Sequence, residues 1–471
     1  MSTTERPQHD SSPTGREHIV IVGAGLGGAL MACYLGRAGY RVDVFERRPD
    51  PRVHGFTGGR SINLALSARG ILGLRGVGLD QRVLAQSIPM RGRMIHPRSS
   101  TDASGGDIAF QPYSKIPTDA IHSVSRADLN ITLLDAAAER PHVSLTFDHR
   151  CLDVELDRPA IDFLNERTGQ RRRVECDAVI GADGAYSAVR LAMQKTERFD
   201  FSQDYLEHGY KELTIPPAAE CGIDQSRHDG FAMAPNALHI WPRGGSMMIA
   251  LPNPDRSFTC TLFWPYEGEI AFGAIRGRSD VEPFFRQHFP DAVPLMPTLV
   301  DDYMRNPVGS LVTMRCAPWH HGGKAVLLGD AAHAIVPFFG QGMNAAFEDC
   351  IALDACLARQ GGDLGAAFAS YFLERKENAD AIAEMALENF IEMRDKTASR
   401  LFRARKHVEK SLNKWFPESF KPLYNMISFS TIPYAEARRR ARMQARITML
   451  GAVTALLVIL LLVMTALMIR R

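Results

Sequence analysis

A set of glycines followed by one carboxylate offers the first chemistry in this sequence. The chain reads His18-Ile-Val-Ile-Val-Gly23-Ala-Gly25-Leu-Gly-Gly28, stays apolar through Leu35, and closes the unit at Tyr40-Arg-Val-Asp-Val-Phe-Glu46. Glycine at 23 permits a tight turn, at 25 lets a pyrophosphate approach the backbone, and at 28 lets a helix pack close to the strand. The free N–H groups of the helix start then face the phosphates. Glu46 falls where a carboxylate accepts hydrogen bonds from an adenosine ribose. These residues predict a dinucleotide site and leave open whether the ligand is NAD or FAD.

The elements that position those residues are a buried strand, a helix and a second strand, in that order. Beyond them come Arg47 and Arg48, a glycine-rich loop from Gly55 to Gly59, and Arg60-Ser-Ile-Asn-Leu64-Ala65-Leu-Ser67 ahead of a helix from Ala68. The loop reads equally as a connector or as a wrap around a cofactor. Ala120 to Ser125 reads as a strand, and Ser125-Arg126-Ala-Asp128 as a capping box. It opens a helix with Leu129, Leu133, Leu134 and Ala137 on one face. Alternation between Val143 and Val174 predicts a small antiparallel hairpin. Asp177 to Arg190, containing Asp183-Gly184, is an apolar strand, a glycine turn and a helix. Residues 199–315 are β-rich, with strand-like runs at Leu238–Trp241, Ser246–Leu251 and Ser257–Trp264. Strand, turn and helix return at Gly323 to Asn344, and a helical pattern runs from Ala345 to about Lys410.

At 471 residues the chain is long enough for two or three domains and a large core. Its net charge of +2 gives no case for a nucleic-acid partner. The eight cysteines form no C-x-x-C or paired framework and read as small buried hydrophobes in a reducing compartment. Residues 1–17 are polar, lack the apolar core of a secretory signal, and predict a disordered tail. Ile447 to Ile469 carries no charge. At ~1.5 Å per residue such a run spans a ~30 Å hydrocarbon core, so a single C-terminal transmembrane helix is expected. Arg438, Arg439, Arg440, Arg442 and Arg446 precede it, and Arg470 and Arg471 follow. That bias places the body of the protein on the cytoplasmic side of a membrane.

Three separated blocks coincide: the glycines at 23–28, Asp177 to Arg190, and Gly329-Asp330 with the helix that follows. Together they resemble the single-component, FAD-dependent aromatic hydroxylases over nearly the whole chain ahead of the apolar tail. The resemblance implies that the first block holds FAD through Gly23, Gly25, Gly28 and Glu46, with Arg47, Leu64, Ala65 and Arg126 beside it. Asp183 would lie near the pyrophosphate and serve both FAD and NADPH, and Asp330 would contact the ribityl chain. Gly340, Gln341, Gly342, Met343 and Asn344 would turn the start of a helix toward the N1–C2=O edge of the flavin, where reduction collects negative charge. No second G-x-G-x-x-G unit follows, which suits a family whose NADPH docks transiently as co-substrate. The implied architecture is α/β. It has a tail (1–17), a two-part FAD-binding Rossmann-like domain (18–198 and 316–376), a β-rich substrate domain (199–315), a helical pocket-covering region (377–437), and a basic flank with the membrane anchor (438–471).

Within the family, further stretches resemble the members that hydroxylate L-kynurenine at ring position 3 during tryptophan degradation. They are Phe45-Glu-Arg-Arg48, Gly59 to Leu66, Met90 to Met94, Gln111-Pro-Tyr113, His208 to Leu213, Asn236 to Pro242, Arg256 to Thr259, Pro337 to Asn344 and Met385 to Phe390. L-Kynurenine is a zwitterionic amino acid with an anthranoyl ring, so its site needs a cation for the carboxylate and an apolar slot for the ring. By resemblance Arg93 and Tyr113 would hold the carboxylate, with Asn389 and Tyr424 completing that end. Leu238, Ile249, Leu251, Phe263, Pro337 and Phe338 would line the slot, and Met393 would pack near it. The implied reaction is NADPH reduction of FAD, O₂ addition to give a C4a-hydroperoxide, and oxygen transfer to the ring. No protein nucleophile and no metal are expected. His333 is a candidate general base, although an electron-rich aniline ring needs little activation. Two rivals share the motifs: a membrane-associated flavin hydroxylase of a quinone precursor or polyene, and a non-enzymatic, tail-anchored FAD-binding redox protein.

Overall fold

The computed structural model describes residues 17–55, 63–98, 108–391 and 420–469. Its first sheet is built around the strand His18–Val22, whose Ile19, Val20 and Ile21 are fully buried. Burial of successive residues is what a central parallel strand requires, since helices cover both faces. The strand lies between Arg41–Phe45 and Ala178–Gly181, parallel to both. Ala325–Leu327 and Val143–Thr146 extend the parallel sheet on either side, and His320–His321 adds an antiparallel edge. Helix Leu26–Arg37 follows the first strand directly and buries Gly28 through Leu35. This is an α/β fold with a parallel sheet of the dinucleotide-binding type.

The alternating stretch 143–174 forms antiparallel hairpins from His149 onward, but its first strand pairs elsewhere. Val143–Thr146 pairs in parallel with Val42–Phe45, and 149–175 extends the expected hairpin to a three-stranded antiparallel meander, His149–Glu155, Ala160–Asn165 and Arg171–Glu175. A half-exposed edge strand alternates like a hairpin strand, and its partner lies a hundred residues upstream, where local periodicity cannot reach.

The second large sheet has seven strands. In spatial order they are Gly309–Ala317, Asp200–Ile215, Phe258–Pro265, Ser246–Pro252, Leu238–Arg243, Gly92–Ile95 and Ala109–Pro112. One face buries Leu213, Ile215, Trp241, Met248, Cys260, Leu262 and Trp264 against helices Arg278–His288 and Leu299–Arg305. Because side chains alternate, the other face presents Glu212, Thr261, Ile249, Ile240 and Ile95 in one row of paired positions. Leu238 and Arg93 are paired neighbours on that same face. It looks toward a three-stranded sheet, Asn63–Leu66, Ile121–Ser125 and Ile88–Met90. Helices Gly342–Arg359, Leu364–Ile391 and Leu423–Ser428 complete the enclosure.

The membrane anchor expected over Ile447–Ile469 is corrected. Among the described residues no helix is long and apolar enough to cross a membrane. The run belongs to a 36-residue helix, Tyr434–Ile469, that starts fully buried at Tyr434 inside the protein body. The arginines read as a flank are largely engaged there. Arg438 pairs with Glu384 and Glu388, Arg439 with Glu377, and Arg440 with Glu436. With no span found among the described residues, the arginines have no anchor to orient, so the expected cytoplasmic side falls with it. The side chains of 452, 453, 455–464, 466, 467 and 469 lie outside the described residues, as do residues 1–16 of the expected tail, the 56–62 part of the glycine-rich loop and Met393.

Candidate flavin and substrate site

The turn after the first strand is tight enough to exclude side chains. Gly23 has a φ of +101°, and a Cβ there would sit 2.5 Å from the Ala182 carbonyl oxygen. A Cβ on Gly28 would sit 2.0 Å from the Gly23 carbonyl oxygen. Gly25, by contrast, faces open space, with no atom within 4 Å of its Cβ position. The open side of the turn is therefore the helix start, where unpaired N–H groups gather. Glu46 braces the turn: one carboxylate oxygen accepts from Ala24 N at 3.0 Å and the other from Arg48 N at 3.0 Å. Arg47 is exposed and borders a surface recess with Arg48, Arg150 and Glu166.

Asp183 stands beside the glycine turn, its Cα 2.8 Å from the Gly23 Cβ position, and Asp330 opens the short helix Asp330–His333. Asp183 Oδ2 accepts from Ala188 N at 2.6 Å, while its Oδ1 is buried without a partner. Asp330 is accessible to solvent yet crowded by protein, as a side chain lining a cleft should be. Desolvation raises both carboxyls above the ordinary range, with His333 and then Arg126 opposing it at Asp330. Arg126 begins helix Arg126–Ala138, which is capped by the Ser125 hydroxyl on Asp128 N.

The loop before the long helix closes the opposite side. Gly340 is left-handed at φ +64°, and a Cβ there would rest 3.4 Å from the Ala65 Cβ. Asn344, fully buried, uses its side chain as a stitch: it accepts from Ser67 N at 3.0 Å and donates to the Ala65 and Gly340 carbonyls, both at 2.9 Å. Gln341 and Gly342 start the helix, no acidic residue occupies its first turn, and Met343 packs into the nucleotide-domain core. Leu64 and Ala65 lie on the strand between loop and pocket. An open glycine turn, an orphaned acceptor, a desolvated carboxyl and two unopposed helix starts fit a dinucleotide with an electron-accepting ring, as FAD is.

Ala65 also belongs to the pocket, where it packs with Tyr113, Leu238, Ile249, Leu251 and Phe429. The Arg93 guanidinium lies 5.4 Å from the Tyr113 ring centre and 4.8 Å from that of Tyr424, and the two rings stack at 4.8 Å. Arg93 Nε and the Tyr113 hydroxyl are buried without partners. Burial pushes the Tyr113 phenol well above its usual range, so it remains a donor. A carboxylate would supply the acceptors that these groups lack. The slot continues through Ile249 to Met247, Phe263 and Phe338, with the Phe263 and Phe338 rings 5.2 Å apart. Pro337 is exposed at its rim, and Asn389 Nδ2 donates to the Phe338 carbonyl at 2.9 Å.

Several residues here were not singled out as site residues, although Phe390 and Glu212 lie in the resembling stretches Met385 to Phe390 and His208 to Leu213. Phe390 stacks on Phe338 at 4.3 Å, and Phe429 packs against Tyr113. Glu212 shares the inner face of the sheet, where burial raises its carboxyl to about 7 against the pull of Arg126. Alternation through Tyr210, Glu212 and Thr214 was its signal from the residues themselves: an acid at an inward position. His333 is turned away into a buried ionic network. Its Nε2 meets Asp349 at 2.6 Å, and Asp349 also takes Arg375 Nε at 2.7 Å and Gly329 N at 3.2 Å. Burial would raise Asp349, but His333 and Arg375 hold it at about 2.

Fold and cradle together define a flavin-dependent oxygenase of the aromatic-hydroxylase type, and the family described as FAD binding domain matches residues 16–386. The solved 2-methyl-3-hydroxypyridine-5-carboxylic acid oxygenase shares the fold at a TM-score of 0.62 and 18% identity, covering 82% of this chain and 95% of its own. The protein of Myxococcus xanthus named kynurenine 3-monooxygenase is 47% identical over 90% of this chain and 88% of that protein. The protein of that name from Dictyostelium discoideum is 45% identical over 89% and 90%. The chain belongs to the kynurenine 3-monooxygenase family. These relatives favour neither rival reading.

Proposed function

We propose that this protein hydroxylates L-kynurenine to 3-hydroxykynurenine at the expense of NADPH and O₂. The observation that carries the reading is the half-buried Arg93 beside Tyr113 and Tyr424, its Nε buried without a partner at one end of an apolar slot, in a chain 47% identical to a relative of that name. FAD, once bound, supplies hydride acceptance and oxygen transfer. Everything else falls to the chain. Arg93 binds the amino-acid carboxylate, with Tyr113, Tyr424 and Asn389 finishing that end. Leu238, Ile249, Leu251, Phe263, Pro337 and Phe338 orient the ring and exclude water, and Met393 belongs with them by resemblance. Gly23, Gly25, Gly28 and Glu46 hold the adenosine and pyrophosphate, joined by Arg47, Arg126 and Asp183. Asp330, Leu64 and Ala65 flank the ribityl chain and ring. The N–H groups of Gly340 to Asn344 steady negative charge at the ring edge. The division into 18–198 with 316–376, 199–315 and 377–437 is part of the same proposal.

The test is NADPH oxidation by the purified FAD-loaded protein, with and without L-kynurenine, with mass spectrometry on the product. Faster oxidation with a product sixteen mass units heavier at ring position 3 is expected. Faster oxidation that yields peroxide alone would make kynurenine an effector, and no stimulation would remove it as the ligand.

A further inference from the structure

We propose that Tyr434, arriving from the far end of the chain, is a positioning residue that fixes the Gln341 side chain and thereby the Gly340–Gly342 turn. The inference rests on the reading of that turn as the flavin's neighbour. Tyr434 is fully buried and Gln341 is 2% exposed. The Tyr434 hydroxyl donates to Gln341 Oε1 at 3.0 Å, and Gln341 Nε2 faces the Phe339 carbonyl at 3.4 Å. A hydroxyl at one end and a carbonyl at the other leave the amide one orientation. Packing alone would be served by phenylalanine, because a buried hydroxyl is unfavourable unless it finds a partner. Here the partner belongs to the turn itself.

The segment that carries Tyr434 is itself held rigid. Arg69, fully buried, stacks on the Tyr434 ring at 4.0 Å. It donates to the Ile427 carbonyl at 3.0 Å and to that of Ile432, and pairs with Glu348. Ala435 N donates to Asn378 Oδ1 at 3.1 Å. Glu348 in turn pairs with Arg375 at 3.2 Å. The same segment presents Tyr424 to Arg93. One strap of chain, 423–435, thus touches the carboxylate end of the pocket and the turn beside the flavin at once.

The experiment compares wild type, Tyr434→Phe, Gln341→Ala and the double variant as holoenzymes. It reads the FAD dissociation constant by flavin fluorescence, the visible flavin spectrum, and hydroxylated product formed per NADPH consumed. Tyr434→Phe keeps the ring on Arg69 and deletes one neutral hydrogen bond, so product per NADPH should fall about 2- to 10-fold. KM for L-kynurenine should stay within about twofold, the flavin spectrum should shift, and the double variant should be no worse than Gln341→Ala. A Tyr434→Phe enzyme with wild-type spectrum and coupling, or a double variant whose losses add, overturns the proposal. If Gln341→Ala leaves the spectrum unchanged, the turn does not border the flavin, and the functional reading of the turn fails along with the strap. A Gln341→Ala effect with a silent Tyr434→Phe defeats the strap alone.

Discussion

The flavin cradle and the amino-acid pocket share the strand Asn63–Leu66 but are built on opposite principles. The cradle is made of backbone: a turn at Gly23 that no side chain could enter, a helix start opened by Gly25, and a left-handed Gly340 lying against Ala65. The pocket is made of side chains, with Arg93 and Tyr113 from one pair of neighbouring strands and Phe338 and Tyr424 from two distant segments. A backbone site binds what every dinucleotide shares and is intolerant of any added atom. A side-chain site binds what distinguishes one substrate and can be changed without touching the fold. The two should therefore fail separately.

The largest effect should come from the pocket. Arg93→Met retains most of the side-chain volume and leaves a bound carboxylate without its cation. Losing one partner of a buried charge pair costs about 2–5 kcal/mol. Kd for L-kynurenine should therefore rise roughly 30- to 4,000-fold, while the FAD content of the purified protein stays at the wild-type level. Loss of FAD in this variant would join the two sites and break the distinction. Gly28→Ala should do the reverse. The new methyl would meet the Gly23 carbonyl at 2.0 Å, and overpacking costs about 1–3 kcal/mol. FAD affinity should fall about 5- to 150-fold, with kynurenine binding to the flavin-loaded fraction unchanged. Smaller still is Tyr113→Phe, which removes one orphaned hydroxyl and keeps the stack on Tyr424 at 4.8 Å. KM should rise about 2- to 10-fold with kcat steady, and an equal loss in kcat would place that hydroxyl at the reacting ring instead.

The same difference decides what the sequence revealed. Backbone demands leave a signature in residue type, because only glycine fits at 23 and 28, so the cradle was readable from spacing alone. Side-chain sites leave none: Arg93 is one of 55 Lys and Arg residues, and only the family resemblance singled it out. The buried group of Arg69, Glu348, Asp349 and Arg375 was invisible because its members come from three separate helices and no local pattern joins them. The apolar run at 447–469 misled for a related reason. Hydropathy describes a segment in isolation, whereas this run continues a helix that begins buried at Tyr434, and among the described residues no helix is long and apolar enough to cross a membrane.

Glu212 lies where the two sites meet, and its effect should be the smallest and the most diagnostic. It stands on the pocket face of the sheet, paired across from Thr261, while the charge that opposes its desolvation, Arg126, belongs to the cradle. Burial lifts its carboxyl from 4.5 to about 7. Below pH 4.5 both the folded and unfolded chains carry the proton, and the contribution to stability is complete. Between 4.5 and 7 the unfolded chain has released it while the folded chain still holds it, so stability falls as pH rises and the loss is complete above 7. Glu212→Gln stays neutral throughout. Its melting temperature should match that of wild type near pH 4.5 and exceed it by about 1–3 °C at pH 8, a modest gap because the carboxyl is only partly buried. Arg126→Met should widen the gap, since the opposing cation is gone. Parallel melting profiles for wild type and Glu212→Gln would mean that Glu212 ionises freely. Cradle and pocket would then exchange no charge across their shared wall, leaving them electrostatically as separate as their construction makes them sterically.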